Sequence, residues 1–135
     1  MTLVGNLKLI FYDFRRAKHK AIYDYRRMSS QVTSKNTILS RRLRQARQLR
    51  GLPQDRLGVL AGLEESSSSA RISRYESGIH EPPVSFVESV AAVLELSPAF
   101  FYCADDRLAE IIRLYSSLTE DKREGLRQSA IDIAG

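Results

Sequence analysis

ARISRYESGIHEPP, Ala70 to Pro83, is the stretch whose reading decides the fold. It is a polar segment with Arg71 and Arg74, two large apolar residues three apart (Ile72 and Tyr75), a glycine, and a turn marked by two prolines. Upstream, PQDRLGVLAG opens a helix at Pro53 and Gln54, sets Leu57, Leu60 and Ala61 at core spacing, and stops at Gly62. A short helix, a tight glycine turn and a second helix with a polar outer face form a helix-turn-helix. Its second helix enters the major groove of DNA while its first lies across the backbone. With Ile72 and Tyr75 taken as buried, a step of about 100° per residue puts Ala70, Arg74 and Ser67 on the opposite face, flanked by Arg71 and Ser73. Small residues there permit close approach, and arginine reads guanine bidentately.

The surrounding pattern is helical throughout. Ser40 is an N-cap candidate for a first helix that places Leu43, Ala46, Arg47 and Arg50 on one face and ends at Gly51. A fourth helix runs from about Ser85 to Glu95, carrying Phe86, Val90, Val93 and Leu94. Ser97 and Pro98 start a short fifth helix with Phe100 and Phe101. Leu108, Ile111, Ile112, Tyr115 and Leu118 follow at amphipathic spacing, and Thr119 is placed to cap a last helix to about Ile133. Lys122 replaces the acidic half of a capping box there. The expected fold is all-α: a compact five-helix DNA-binding domain over residues 40–103, a C-terminal helical extension over 104–135, and a basic N-terminal segment over 1–39.

These residues resemble the lambda-repressor-like, Cro/CI-type (XRE) family of regulators. The resemblance rests on RLRQARQLRGLPQDRLGVLAGL, ARISRYESGIHEPP and VAAVLELSPAFFY, and covers about Leu43 to Tyr102. It implies base contacts near the start of the third helix and one turn later, at Ser69, Ala70, Ser73 and Arg74. It also implies a phosphate contact for Gln54 that clamps the recognition helix. A buried ion pair between Arg47 and Glu76 is a further implication; an unpaired charge in either place is costly. Two departures stand out. Gly58 sits where the family usually has alanine packed against the recognition helix. The segment from Leu63 to Ile72 is also about four residues longer than the commonest spacing, because of EESSSS. That insertion lengthens either the turn or the helix, and so decides which of Ser66, Ser67, Ser68 and Ser69 face DNA.

Charge agrees with a polyanionic partner. Residues 1–50 hold 13 Lys/Arg against 2 Asp/Glu, net +11, and residues 51–135 hold 8 against 14, net −6. Arg41, Arg42 and Arg44 are further phosphate candidates, against the commoner reading of a charge run as a solvated face. Residues 1–39 read as a basic arm along phosphates. Alternatively, because Met28 precedes the linker SSQVTSKNT, residues 1–27 are a non-native extension. A single cysteine, Cys103, excludes an internal disulfide and fits a reducing cytoplasm. There is no membrane-length apolar run, no signal-peptide pattern, no P-loop or GxGxxG, and no metal spacing around His19 or His80. The expectation is a cytoplasmic, non-enzymatic regulator without metal or cofactor, a homodimer on a palindromic DNA operator with its C-terminal helices as the dimer face. Two alternatives stay open: an antitoxin-like regulator that also binds a partner protein, and an interaction module without DNA binding, which the Glu64–Glu65 pair favours.

Overall fold

The computed structural model describes residues 36–135, and the two readings of the N-terminal arm lie outside them. Seven helices follow in order: α1 (Ile38–Leu49), α2 (Gln54–Leu60), α3 (Glu65–Glu76), α4 (Val84–Leu94), α5 (Ala99–Tyr102), α6 (Asp106–Ser117) and α7 (Glu120–Ala134). No strand occurs among the described residues. The architecture is all-α, with a helix-turn-helix formed by α2 and α3.

The first helix begins earlier than its apolar pattern suggests. Thr37, not Ser40, is the N-cap: its hydroxyl accepts from the Ser40 amide at 3.1 Å, while the Ser40 hydroxyl donates back to the Thr37 carbonyl at 2.9 Å. Moving the start by three residues brings Leu39 into the core beside Leu43 and Ala46. Arg42, one turn before Ala46 on the same face, also points inward, and its side chain is only 2% exposed. Arg42 Nε donates to the Cys103 carbonyl at 2.9 Å, and Nη2 reaches Asp106 at 2.8 Å. Arg42 is therefore a strut between α1 and the α5–α6 connection, and it is not free to meet phosphate. A guanidinium has enough donors to satisfy several carbonyls at once, which is why burial is tolerable here.

The core is one cluster of Leu57, Ile72, Tyr75, Phe86, Val90, Leu94, Phe100 and Phe101 with their smaller neighbours. Tyr75 and Phe86 pack with ring centroids 5.3 Å apart, tying α3 to α4. Gly62 and Gly78 take backbone conformations that other residues resist. Gly62, at φ +98°, ends α2, so that the Leu63 amide reaches back to the Gly58 carbonyl at 2.8 Å. Gly78, at φ +72°, does the same for α3, with the Ile79 amide on the Arg74 carbonyl at 3.0 Å.

The C-terminal helices are built differently. In α6 only Ala109 is buried, whereas Leu108, Ile111, Leu114 and Tyr115 are exposed; α7 buries nothing. Of the amphipathic stripe of α6, Ile112 packs against the core, while Leu108, Ile111 and Tyr115 remain exposed. Asp105 caps α6, its Oδ1 accepting from the Arg107 and Leu108 amides at 2.8 and 3.1 Å. Those bonds hold its carboxyl below the usual 3.8, the Leu108 amide contributing most. A depressed carboxylate stabilises above its unfolded pKa, and the effect is lost as pH falls through the folded one. Asp105→Asn caps without titrating, so its melting temperature is expected to fall less than the wild type's between pH 7 and pH 3. Equal acid sensitivity in paired thermal melts would refute this.

Candidate nucleic-acid interface

The outer face of α3 carries Ser66, Ser69, Ala70, Arg71, Ser73 and Arg74, all exposed. Ile72, Tyr75 and Glu76 are buried on its inner face. The EESSSS insertion extends the helix and leaves the turn short: Glu64 is the N-cap and Glu65 the first helical residue. The extra residues are thus helical and form the first turn of α3. Ser67 is half-buried, with its hydroxyl on the Glu64 carbonyl at 3.4 Å.

Ser68 is a correction to the contact set. It is fully buried, and its hydroxyl donates to the Asp55 carbonyl of α2 at 2.6 Å. Once the helix extends back to Glu65, Ser68 lies one turn before Ile72 and shares its inward face. It is not presented to DNA. Arg71 stays outside but is partly engaged, with Nη2 3.3 Å from the Tyr75 hydroxyl. Arg74 makes no side-chain ion pair among the described residues, which leaves its guanidinium available on the outer face.

Behind α3, the structure brings Arg47 and Glu76 together. Arg47 Nε and Nη2 meet the two Glu76 carboxylate oxygens at 2.6 and 3.0 Å, and Nη1 donates to the Leu52 carbonyl at 2.9 Å. The hydrogen bond to Glu76 raises the Arg47 pKa further above its ordinary value, with burial opposing it. Gln54 joins the same carboxylate, its Nε2 2.9 Å from Glu76 Oε2. This bond has no signature in sequence spacing, since Gln54 and Glu76 lie on different helices. It orients a half-buried amide at the start of α2 and links α1, α2 and α3 through one carboxylate. Arg44 approaches Glu76 at 3.6 Å with its side chain half exposed, and Arg41 stands 3.7 Å from Asp106. Both arginines are partly neutralised, unlike Arg74.

No group of metal-ligating side chains occurs among the described residues, and no described helix is long and apolar enough to cross a membrane. What the fold presents is a helix-turn-helix whose second helix is anchored on one side and offers small residues and arginines on the other. That defines the class of a DNA-binding protein. Residues 38–99 match the model of a helix-turn-helix domain family. The chain is also similar to the crystal structure of the transcriptional regulator BswR, at 39% identity and a TM-score of 0.65, over 69% of this chain and 92% of that one. No curated protein matches it. The chain belongs to the helix-turn-helix transcriptional regulators.

Proposed function

We propose that the protein is a sequence-specific transcription regulator of the Cro/CI type, a repressor that binds a palindromic operator as a homodimer and reads the major groove with α3. The observation that carries this reading is the two-sided construction of α3. Ile72, Tyr75 and Glu76 fix the helix, while Ser69, Ala70, Ser73 and Arg74 are left at its surface. Arg74 is assigned the base contact, and Ser69, Ala70, Ser73 and the flanking Arg71 line the approach. Gln54, held by Glu76, is assigned a phosphate at the start of α2. A single recognition helix spans only a few base pairs, so specificity calls for two half-sites about one helical turn, ~34 Å, apart.

Selection of bound DNA from a random pool tests the reading. A two-fold palindrome is expected, with affinity that falls linearly in log–log against salt. Arg74→Ala should cost ~1–3 kcal/mol and erase preference at one position in each half-site, leaving the others unchanged. Binding that is sequence-blind in the wild type would sink this function and favour an interaction module, for which the exposed Glu64 and Glu65 are the supporting feature.

A further inference from the structure

Ser68 has no role in the contact set, yet it is buried between the two helices of the motif. Its hydroxyl spans from α3 to the Asp55 carbonyl in the first turn of α2. Directly opposite is Gly58. A Cβ built there would overlap the Ser68 hydroxyl and stand 3.1 Å from the Ser68 Cβ and 3.2 Å from Ile72 Cγ1. Ordinary carbon–carbon contacts sit at roughly 3.5–4.0 Å. The glycine is therefore the partner that the extra turn of α3 demands. With α3 starting at Glu65, a serine reaches the α2 backbone, and a side chain opposite it meets that serine.

We infer that the Gly58–Ser68 contact sets the separation and angle of α2 and α3, making Ser68 a positioning residue for DNA reading. The argument rests on the proposed function, in which α2 must lie on the backbone while α3 sits in the groove. Both can seat only at one relative pose. α2 is only seven residues long and buries just Leu57 and Gly58, so beside the Gln54–Glu76 hydrogen bond at its start this contact is what holds that pose from its side. An alanine at position 58 has two outcomes open to it. Either the helices separate, or Ser68 turns its hydroxyl away and surrenders the Asp55 carbonyl; both remove the spacer.

The test uses the full chain with Gly58→Ala, Ser68→Ala and the two combined. Each is followed by thermal melting and by titration with a selected operator and an unrelated duplex. Gly58→Ala is expected to bind the operator about tenfold more weakly, as for the loss of one base contact, at a temperature where circular dichroism shows intact helicity. Affinity for the unrelated duplex stays unchanged, because phosphate contacts alone carry it. Adding Ser68→Ala returns part of both the operator affinity and the melting temperature, since the methyl of residue 58 then gains room. If Gly58→Ala fails to fold, Ser68→Ala alone decides: it adds no bulk, and a loss of operator preference without loss of helicity supports the role, whereas wild-type preference overturns it. A folded Gly58→Ala with wild-type operator affinity, or a double variant no better than Gly58→Ala, also overturns it. Absence of operator preference in the wild type overturns the DNA reading and this role with it, and is distinguished by appearing before any substitution is made.

Discussion

Arg47→Met is expected to destabilise the domain by about 3 kcal/mol, in the lower part of the ~3–5 kcal/mol range for breaking a buried ion pair. The Glu76 side chain has no solvent exposure, and Arg47 supplies two of its hydrogen bonds. Methionine matches the length of the arginine stem but leaves a carboxylate in the core without its main counter-charge. Gln54 at 2.9 Å and Arg44 at 3.6 Å remain and soften the loss, which is why the upper end of the range is not expected. Arg47→Met with Glu76→Leu should recover most of the stability, because the desolvation of both charges disappears along with their attraction. DNA binding need not return with it, since Gln54 loses its acceptor in the double variant. Urea denaturation of the three proteins checks the prediction, and a loss under about 1 kcal/mol in Arg47→Met would show that Glu76 is not held as the geometry indicates.

The parts of the fold that were legible in the sequence are those where one residue type answers one local demand. Gly62 and Gly78 mark helix ends because only glycine enters those left-handed conformations at no steric cost. Ile72 and Tyr75 mark the inner face of α3 because their spacing matches one side of a helix. The misread parts depend on register. Ser40 carries the right chemistry for a cap, but Thr37 does too, and the choice falls to whichever start buries Leu39. Arg42 looks like one of a solvated run, although it lies one turn before Ala46 on the inner face, where the Cys103 carbonyl and the Asp106 carboxylate receive it. Ser68 looks like its neighbours Ser67 and Ser69, and only the length of α3 separates a buried hydroxyl from exposed ones. Composition does not distinguish a longer turn from a longer helix. Gly58 was the available clue, since a glycine inside a helix costs ~1 kcal/mol of propensity and calls for a packing reason.

On the proposed homodimeric reading, Ile111→Glu combined with Ile131→Glu is expected to give a monomer and to weaken operator binding by about 10²–10⁴-fold, the range over which two linked sites exceed one. The two isoleucines are 49% and 48% exposed, on α6 and α7 respectively, so carboxylates there should leave the monomer's core and helicity intact. Leu108, Leu114 and Tyr115 on α6, and Leu126 and Ile133 on α7, the last at 86% exposure, are further exposed apolar side chains. α7 has 15 residues, none buried, and a helix of that length is marginal on its own. A second copy supplying the same surface would cover both helices at once, as a two-fold interface requires. It would also place two α3 helices on one duplex. Sedimentation equilibrium reads the first half of the prediction and operator titration the second. A variant that remains dimeric would move the interface elsewhere, and a monomer that binds the palindrome as tightly as the wild type would remove dimerisation from the mechanism. A wild type that is monomeric but captures a distinct protein through Ile111 and Ile131 would favour the antitoxin-like reading, in which the same apolar face holds a different partner.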